Sequence, residues 1–272
     1  MFGISRQSVY QQESRDTQRI KELVKVRTMV QTIRMEMPRL GTRKLYYLLK
    51  ESFEIEQIKI GRDTLFDFLR SENMLVRPKK NYTKTTNSKH WLKKHPNLFA
   101  PMKVIRPEQA FVSDITYLKS RENTHYLSLV TDAYSRKIMG YKLSDNMNAE
   151  NVVQALEMAL KERLTSNGLI HHSDRGLQYA SEIYQNKLIA EAILPSMTDG
   201  YDCYQNALAE RINGILKQEF LFYKCNNGNE LEKLVIESIE IYNEKRPHLS
   251  LGMKTPNFVH KQRSRNNPTS LN

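Results

Sequence analysis

The sequence predicts a mixed α/β domain, built on a five-stranded sheet flanked by helices, that follows an all-helical region. Two observations support this prediction. After Pro107, short segments rich in β-branched and aromatic residues alternate with amphipathic segments, which is typical of a mixed sheet covered by helices. Before residue 75, apolar residues recur at helical spacing.

The five strands are expected at residues 111–118, in two segments of residues 125–143 that form a hairpin, and at residues 169–172 and 193–197. Helices are expected at residues 149–164, 181–191, 206–222 and 230–243. Because the first three strands follow one another directly and helices separate the last two, the sheet is expected to combine antiparallel and parallel pairs.

The first part of the chain predicts three helices, at residues 17–37, 41–51 and 60–74. The second and third helices match a helix-turn-helix arrangement, in which the second helix enters a DNA groove. We therefore expect Arg43, Lys44 and Arg62 to contact DNA. A helical hairpin that binds no DNA is the alternative.

The positive charge lies almost entirely at the start of the chain. The formal net charge is +12, and residues 1–100 hold 21 Lys and Arg against 10 Asp and Glu, whereas the rest holds 21 against 20. A one-sided excess of this kind indicates a polyanionic partner, most simply nucleic acid. The alternative is a protein that merely has a high isoelectric point.

Residues 76–95 read VRPKKNYTKTTNSKHWLKKH, with seven Lys and Arg and no acid. This composition predicts a basic linker over residues 76–100. Lys79 and Lys80 are candidate phosphate contacts, and Trp91 is a candidate for stacking on DNA or for anchoring the linker. A solvated tether without a ligand is the alternative.

No apolar run approaches the roughly 18 residues that a membrane span needs, and the first residues lack the apolar segment of a secretory signal. The two cysteines, Cys203 and Cys225, are too few for a disulfide framework. We therefore expect free thiols in a reducing cytoplasm and no membrane partner.

Three acidic residues are candidates for one site. Asp114 lies within the first predicted strand, and Asp174 follows the fourth in the segment LIHHSDRGLQYAS. If those strands are neighbours, the two carboxylates converge at the sheet. Glu210 lies 36 positions after Asp174, on the predicted helix ALAERINGILKQEF. Carboxylate oxygens suit Mg²⁺, and two such ions about 4 Å apart support an in-line phosphoryl displacement.

The polar segment around Asp174 has simpler explanations as well. One is a solvated loop with an Asx-turn at Asp174, and another is a metal site that uses His171 and His172. Alternation along a strand places the two histidines on opposite faces. This placement favours one buried, hydrogen-bonded histidine and one that approaches the site without binding a metal.

Several polar residues share the face of Glu210 on the predicted helix. Asn206, Asn213 and Lys217 lie four residues before it and three and seven residues after it. An acid and a cation two turns apart suit a site in which the acid holds a metal and the cation holds a phosphate. With Arg175 and Gln178 beside Asp174, these three are candidate DNA contacts. A polar stripe that faces solvent is the alternative.

The set of Asp114, Asp174 and Glu210, with 35 residues between the last two and Lys217 seven beyond Glu210, resembles the catalytic signature of DDE transposases and retroviral-type integrases. The chain more closely resembles the second-frame (OrfB-type) product of insertion sequences of the IS-three group. The resemblance rests on the stretches VSDITYL, HHSDRGLQY, ALAERINGILKQEF and YNEKRPHLSLGMKTP, and on GTRKLYYLLKE and GISRQSVYQ near the start.

The resemblance implies an RNase H-like integrase core over residues 101–262. A helix-turn-helix-like DNA-binding region (residues 1–75) and the basic linker (residues 76–100) would precede it, and a disordered tail (residues 263–272) would follow.

The resemblance also implies an activity. The enzyme would cut DNA at the element ends and use the freed 3′-hydroxyl to attack another phosphodiester. Asp114 and Asp174 would bridge two Mg²⁺ ions, which Mn²⁺ could replace, and Glu210 would complete one site. A metal-dependent nuclease and a non-catalytic DNA-binding regulator of transposition are the alternatives.

The expected partners are double-stranded DNA at the terminal repeats and at the target, and further copies of the chain on that DNA. A protein from the upstream reading frame, separate or fused, is also expected. The location implied is the bacterial cytoplasm, on the nucleoid.

Overall fold

The computed structural model describes residues 6–77, 92–199 and 206–265 of the 272-residue chain. The chain divides into two compact units, Met1–Pro78 and Lys79–Asn272. The expected DNA contacts Lys79, Lys80 and Trp91 lie outside the described residues. Among the helices that are described, none is long and apolar enough to cross a membrane.

The described part of the first unit contains the helices α1 (Arg6–Glu36), α2 (Thr42–Ile55) and α3 (Arg62–Ser71). Their apolar faces meet in a core of fully buried side chains: Val26, Val30, Leu40, Leu45, Leu65 and Leu69. The helix α1 begins well before its predicted start at residue 17. Its first turns are exposed and polar, so they carry no buried stripe that a sequence pattern could reveal.

The residues of α2 and α3 that were expected to contact DNA lie on or near the surface. Arg43 is exposed and Lys44 is half-buried. Arg62 is exposed at the start of α3, where its Nε donates to the Asp63 carboxylate at 2.8 Å. Residues 56–61 join the two helices, a longer connection than the three- or four-residue turn of a helix-turn-helix. The DNA-binding role of this unit stays a prediction.

The second unit contains the predicted mixed sheet. Its strands are β1 (Ala110–Lys119), β2 (Thr124–Asp132), β3 (Ile138–Ser144), β4 (Ile170–Ser173) and β5 (Leu194–Met197). They lie in the order β3-β2-β1-β4-β5. The strands β1 to β3 pair antiparallel, whereas β4 pairs parallel to β1 and to β5. The fold class predicted from the sequence is confirmed.

The described helices of this unit are α4 (Ala149–Lys161), α5 (Leu177–Ala180), α6 (Glu182–Ala190), α7 (Ala207–Ile215), α8 (Gly228–Glu244) and α9 (Pro256–Arg265). A π-helical turn (Leu216–Phe220) continues α7, and a 3-10 turn (Leu249–Leu251) precedes α9. The sequence predicted neither α5 nor α9. Because buried Asn257 and His260 anchor α9, this helix runs past residue 262, where the disordered tail was expected to begin.

The helices α4, α5 and α6 form one side of the main core with the sheet. This packing requires a glycine in β3. A Cβ atom on Gly140 would lie 2.1 Å from the carbonyl oxygen of Ala155 and 2.6 Å from the backbone nitrogen of Ala159. The hydrogen side chain of Gly140 therefore allows α4 to contact the sheet backbone directly.

The helices α7 and α8 pack on the sheet as well, against β1 and β3. Asn243 of α8 fixes the second contact, since its Nδ2 donates to the carbonyl oxygen of Ile138 at 2.9 Å and its Oδ1 accepts from the N–H of Ile138 at 3.0 Å. This double hydrogen bond holds the end of α8 at the start of β3.

A charged network is buried where α9 meets the sheet. His260 lies with Nε2 3.3 Å from Glu108 and Nδ1 3.6 Å from Asp132, and all three side chains are fully buried. Burial alone would raise the pKa of Glu108, but hydrogen bonds from His260 and from the N–H groups of Leu164 and Thr165 lower it to about 2. Burial would lower the pKa of His260, but its bonds to the two acids raise it. The network therefore favours a charged histidine between two carboxylates.

We predict that Gly140→Ala destabilises the protein. The new methyl group overlaps the backbone of α4, and overpacking of this kind costs about 1–3 kcal/mol. Urea unfolding followed by circular dichroism measures the change. Gly168→Ala is the matched control, because a Cβ there meets nothing within 4 Å. An equal loss of stability in both variants would contradict this explanation of Gly140.

We predict that His260→Gln lowers the free energy of unfolding by about 3–5 kcal/mol near pH 6, because two buried carboxylates lose their cation. Because its pKa is raised in the folded protein, His260 stabilises the fold fully below its ordinary pKa of 6.5. This stabilisation is lost as the pH rises through the pKa that His260 has in the folded protein. Glu108 affects stability at acid pH instead. Because its pKa is lowered, the stabilisation that its charged form provides is lost as the pH falls from 4.5 towards about 2.

Urea titrations of both proteins between pH 6 and pH 10 check this prediction. The difference in the free energy of unfolding between wild type and His260→Gln should shrink as the pH rises. Asn257→Ala, on the same helix, is the control and should cost a constant amount. A difference for His260→Gln that does not change with pH would show that the histidine is not charged in the folded protein.

Candidate active site

The parallel pairing of β1 with β4 brings Asp114 and Asp174 together. Val112 of β1 is paired with His172 of β4. Asp114 follows Val112 by two positions, within β1, and Asp174 follows His172 by two positions, directly after β4 ends. Adjacent strands of one sheet thus bring the two carboxylates close enough for Asp174 to raise the pKa of Asp114, and their role in catalysis stays a prediction.

A tight turn fixes the carboxylate of Asp174. Its Oδ1 accepts a hydrogen bond from the N–H of Gly176 at 3.0 Å, which is an Asx-turn. A Cβ atom on Gly176 would lie 3.0 Å from the same oxygen, so the turn leaves little room for a larger residue. The Asx-turn and the active-site interpretation are therefore compatible, because the turn that ends the strand also orients the acid.

Asp114 is held by two hydrogen bonds and lies in an unfavourable environment for a charge. Its oxygens accept from the N–H of Ile115 at 2.9 Å and from Nδ2 of Asn213 at 2.8 Å. Burial raises the pKa of Asp114 to about 7, and repulsion from Asp174 and Glu210 adds to this shift, which the bond from Asn213 opposes. The structure therefore holds the carboxyl of Asp114 near two other acids, whose negative charges disfavour its own ionisation.

Glu210 lies at the exposed start of α7. Desolvation and repulsion from Asp174 raise its pKa. The three acids are therefore close enough to interact electrostatically. Within the described part of the chain, however, no three His, Cys, Asp or Glu side chains lie close enough together to hold a metal ion. Asp114 and Asp174 therefore lie together at the sheet, but with Glu210 they do not form a complete three-acid metal site in this structure.

The donor atoms at this site fit a hard divalent cation. All of them are oxygens of the kind that Mg²⁺ prefers, and Mg²⁺ needs only one or two carboxylates from the protein. The Oδ1 of Asn213 is buried next to Asp114, with no hydrogen-bond partner in the described chain. A cation at this site would offset the repulsion that raises the pKa of Asp114.

The asparagines of α7 face inward. Asn206 and Asn213 are each 5% exposed, and Nδ2 of Asn206 donates to the carbonyl oxygen of Ser113 at 3.1 Å. Both were expected to contact DNA. The structure buries both against β1, since Asn206, directly before α7, bonds Ser113 and Asn213 bonds Asp114, and their role on DNA stays a prediction.

Three further expected DNA contacts, Lys217, Arg175 and Gln178, have partners within the described part of the protein. Half-buried Lys217 places Nζ 4.8 Å from the ring centre of Tyr117, and burial lowers its pKa while Asp114 opposes this shift. Nε of Arg175 donates to the carbonyl oxygen of Thr198 at 2.5 Å, and Nε2 of Gln178 donates to that of Met147 at 2.9 Å. The roles of Lys217, Arg175 and Gln178 on DNA stay predictions.

Both histidines before Asp174 are buried. Nε2 of His171 lies 2.7 Å from the hydroxyl of Ser113 and 2.8 Å from that of Tyr184, and burial lowers its pKa to about 3. Nδ1 of His172 lies 2.9 Å from the hydroxyl of Ser196. Both histidines are therefore buried and hydrogen-bonded inside the sheet, and the approach of one of them to the site stays a prediction.

Sequence reasoning missed Ser113, which precedes Asp114. Its carbonyl oxygen binds Asn206 and its hydroxyl binds His171, so it connects the helix that carries Glu210 with the strand that leads to Asp174. A small polar residue inside a strongly apolar strand was the signal that could have indicated this role.

The fold is that of an RNase H-like polynucleotidyl transferase core, and it places Asp114 on β1, Asp174 directly after the neighbouring β4 and Glu210 on α7. Comparisons with known proteins agree. Family models described as "Integrase core domain" match residues 105–203 and 191–256. The chain is 36% identical over 265 residues to an uncharacterised 31 kDa protein of insertion element IS600 from Shigella sonnei, and the alignment covers 94% of each protein.

The chain is also 36% identical over 152 residues to the transposase of insertion sequence IS629 from the same organism, covering 56% of this chain and 51% of that protein. A structure of the simian T-cell lymphotropic virus intasome, in complex with a PP2A regulatory subunit, aligns with 85% of this chain and 77% of that one. Its 18% identity and TM-score of 0.52 show a shared fold. The chain belongs to the DDE transposases of insertion sequences, in the IS-three group.

We predict that Asn213→Ala lowers the rate of DNA cleavage by the enzyme about 10- to 100-fold, because Asp114 loses the hydrogen bond that fixes its Oδ2 and small misplacements at a reacting centre cost about this much. Cleavage of labelled duplexes that carry the element end measures the rate. Asn151→Ala removes a half-buried amide whose Nδ2 donates to the carbonyl oxygen and the Oδ1 of Asn146, and it should leave the rate unchanged. Equal activity of both variants would show that Asn213 does not orient Asp114.

Proposed function

We propose that this transposase uses Asp114, Asp174 and Glu210 to cut DNA at the ends of its element and to join the freed 3′-hydroxyl to another phosphodiester. The observation that supports the proposal most strongly is the register of β1 and β4, which sets the first two carboxylates side by side at the end of β4. Because two neighbouring carboxylates repel each other, this placement lowers the stability of the protein, and it therefore favours a role for both acids in the reaction.

In the proposed enzyme, Asp114 and Asp174 hold two Mg²⁺ ions, which Mn²⁺ can replace, and Glu210 completes one of the sites. When bound, the cations would neutralise charge on the attacking and leaving oxygens of an in-line phosphoryl displacement. The raised pKa of Asp114, which reflects burial and repulsion from Asp174, supports a cation at this place.

The protein's own groups orient these acids and receive the DNA. Asn213 holds one oxygen of Asp114, and the N–H of Gly176 holds one oxygen of Asp174. Lys217 lies on the same side as Asp114, half-buried beside Tyr117, where its ammonium group can bind a phosphate of the DNA end. No covalent bond between protein and DNA is needed in this scheme, because a hydroxyl of the DNA is the nucleophile.

The remaining contacts are proposed from charge and position. Residues 1–75 would bind the element ends, residues 76–100 would follow the phosphate backbone, and the core would hold the scissile site. The residues proposed to touch DNA outside α7 and its π-turn are Arg43, Lys44, Arg62, Lys79, Lys80, Trp91, Arg175 and Gln178. Several copies of the chain would act together on double-stranded DNA of the bacterial nucleoid, with a protein or fused segment from the upstream reading frame.

We predict that Glu210→Gln and Asp174→Asn bind DNA as the wild type does but lose strand cleavage and joining by at least about 10³-fold, because a cation site without a carboxylate cannot support the displacement. Labelled duplexes that carry the element end, incubated with Mg²⁺ with and without the upstream protein, report both steps. Glu182→Gln, an exposed acid on α6, is the control.

Each possible outcome decides between the candidate functions. Joined strands from Glu210→Gln would contradict the assignment of the three acids. Cleavage by the wild type without joined products would favour a nuclease. A wild type that binds the element end but shows no Mg²⁺-dependent cleavage under any of these conditions would favour a regulator.

A further inference from the structure

The helix that carries Glu210 changes its winding beyond Ile215. The N–H of Leu221 donates to the carbonyl oxygen of Leu216 at 2.8 Å, five residues back, and residues 216–220 form a π-helical turn. Such turns are rare and are found frequently at functional sites. Lys217 and Glu219 both lie in this turn.

The two charged residues of the turn have different surroundings. Lys217 lies over the ring of Tyr117, within the electrostatic reach of Asp114. Glu219 instead contacts Arg246, which follows α8. Nε of Arg246 lies 2.8 Å from one carboxylate oxygen of Glu219, and Nη2 lies 2.6 Å from the other. This two-point geometry fixes both the distance and the plane of the carboxylate.

Arg246 is attached firmly to the rest of the unit. Its side chain is 2% exposed, and its guanidinium carbon lies 5.7 Å from the ring centre of Tyr242. The hydroxyl of Tyr242 donates to the carbonyl oxygen of Arg136 at 3.0 Å, and the next residue, Asn243, binds Ile138. Arg246 therefore connects the π-turn with the start of β3 and the hairpin before it.

A buried ion pair of this kind contributes little net stability, because removing both charges from water costs about as much as their attraction returns. Breaking it by removing one partner is nevertheless costly, because the other charge stays buried alone. Such a pair is therefore better suited to holding one geometry than to raising stability.

We propose that the Glu219–Arg246 ion pair is a positioning device, which holds the π-turn so that Lys217 stays over Tyr117 beside Asp114. Glu219 and Arg246 do not touch the reacting atoms. They act through Lys217, and the inference rests on the proposed function only where it gives Lys217 a DNA phosphate to bind. The alternative is that the pair serves the packing of α8 alone.

The position of Lys217 can be measured without any reaction. In the full chain with ¹³C-dimethylated lysines, we expect the ring of Tyr117, 4.8 Å from Nζ, to shift the signal of Lys217 upfield. Its loss in Lys217→Arg assigns it, and Tyr117→Leu should remove the shift. We expect Glu219→Gln and Arg246→Lys to move the signal towards that of exposed lysines. Arg246→Lys keeps the charge but loses the two-point contact.

In unmodified protein, both variants should lower strand cleavage about 10- to 100-fold.

Two controls separate positioning from stability. Val152→Ala removes two methyl groups from the core at α4 and lowers stability away from the π-turn. Glu157→Gln breaks an ion pair with Lys187, at 3.2 Å, that is more exposed than the Glu219–Arg246 pair. Both should leave the Lys217 signal in place. If Glu219→Gln and Arg246→Lys unfold more easily than the wild type but keep the signal unmoved, the positioning role is wrong. If the signal moves but the wild type itself fails to cut DNA, positioning is supported and the proposed function fails.

Discussion

The parallel pairing of β1 with β4 is the constraint on which the site depends. It forces two carboxylates to share one small region, where each makes the charge of the other less favourable. The surrounding residues hold the two carboxylates in this arrangement. An amide of α7 and a backbone N–H of the Asx-turn each hold one oxygen, and Ser113 links the two sides. The acids therefore keep their orientation although repulsion favours their separation.

The unit also shows how a fold can carry such a site and remain stable. Its polar interior is divided in two. One part consists of His171, Ser113 and Tyr184, which bond one another, and burial lowers the pKa of His171 to about 3 and so favours its neutral form. The charged interior lies in a separate place, where His260 compensates two acids. The acids that repel one another, Asp114, Asp174 and Glu210, therefore lie apart from the buried acids that His260 compensates.

Local patterns in the sequence predicted the strands and the three acids, because alternation within β1 and the abrupt polar end of β4 are visible in single segments. The burial of Asn206 and Asn213 was not visible, since helical spacing shows which residues share a face and not what that face packs on. The helix α9 was missed for a related reason: its polar sequence is held by His260, whose partners lie far away in the chain. The exposed start of α1 and the π-turn have no apolar period to indicate them.

The charged network around His260 has a consequence for synthesis of the protein. The histidine and Glu108 are 152 positions apart, and the contact with Ser135 spans 125 positions. Until α9 leaves the ribosome, the first strands of the sheet are complete in sequence but two of their buried acids have no cation. A contact of such long range forms late and slowly. A chain that ends before α9 leaves Glu108 and Asp132 buried without this cation, so its core is expected to be less stable than that of the full chain.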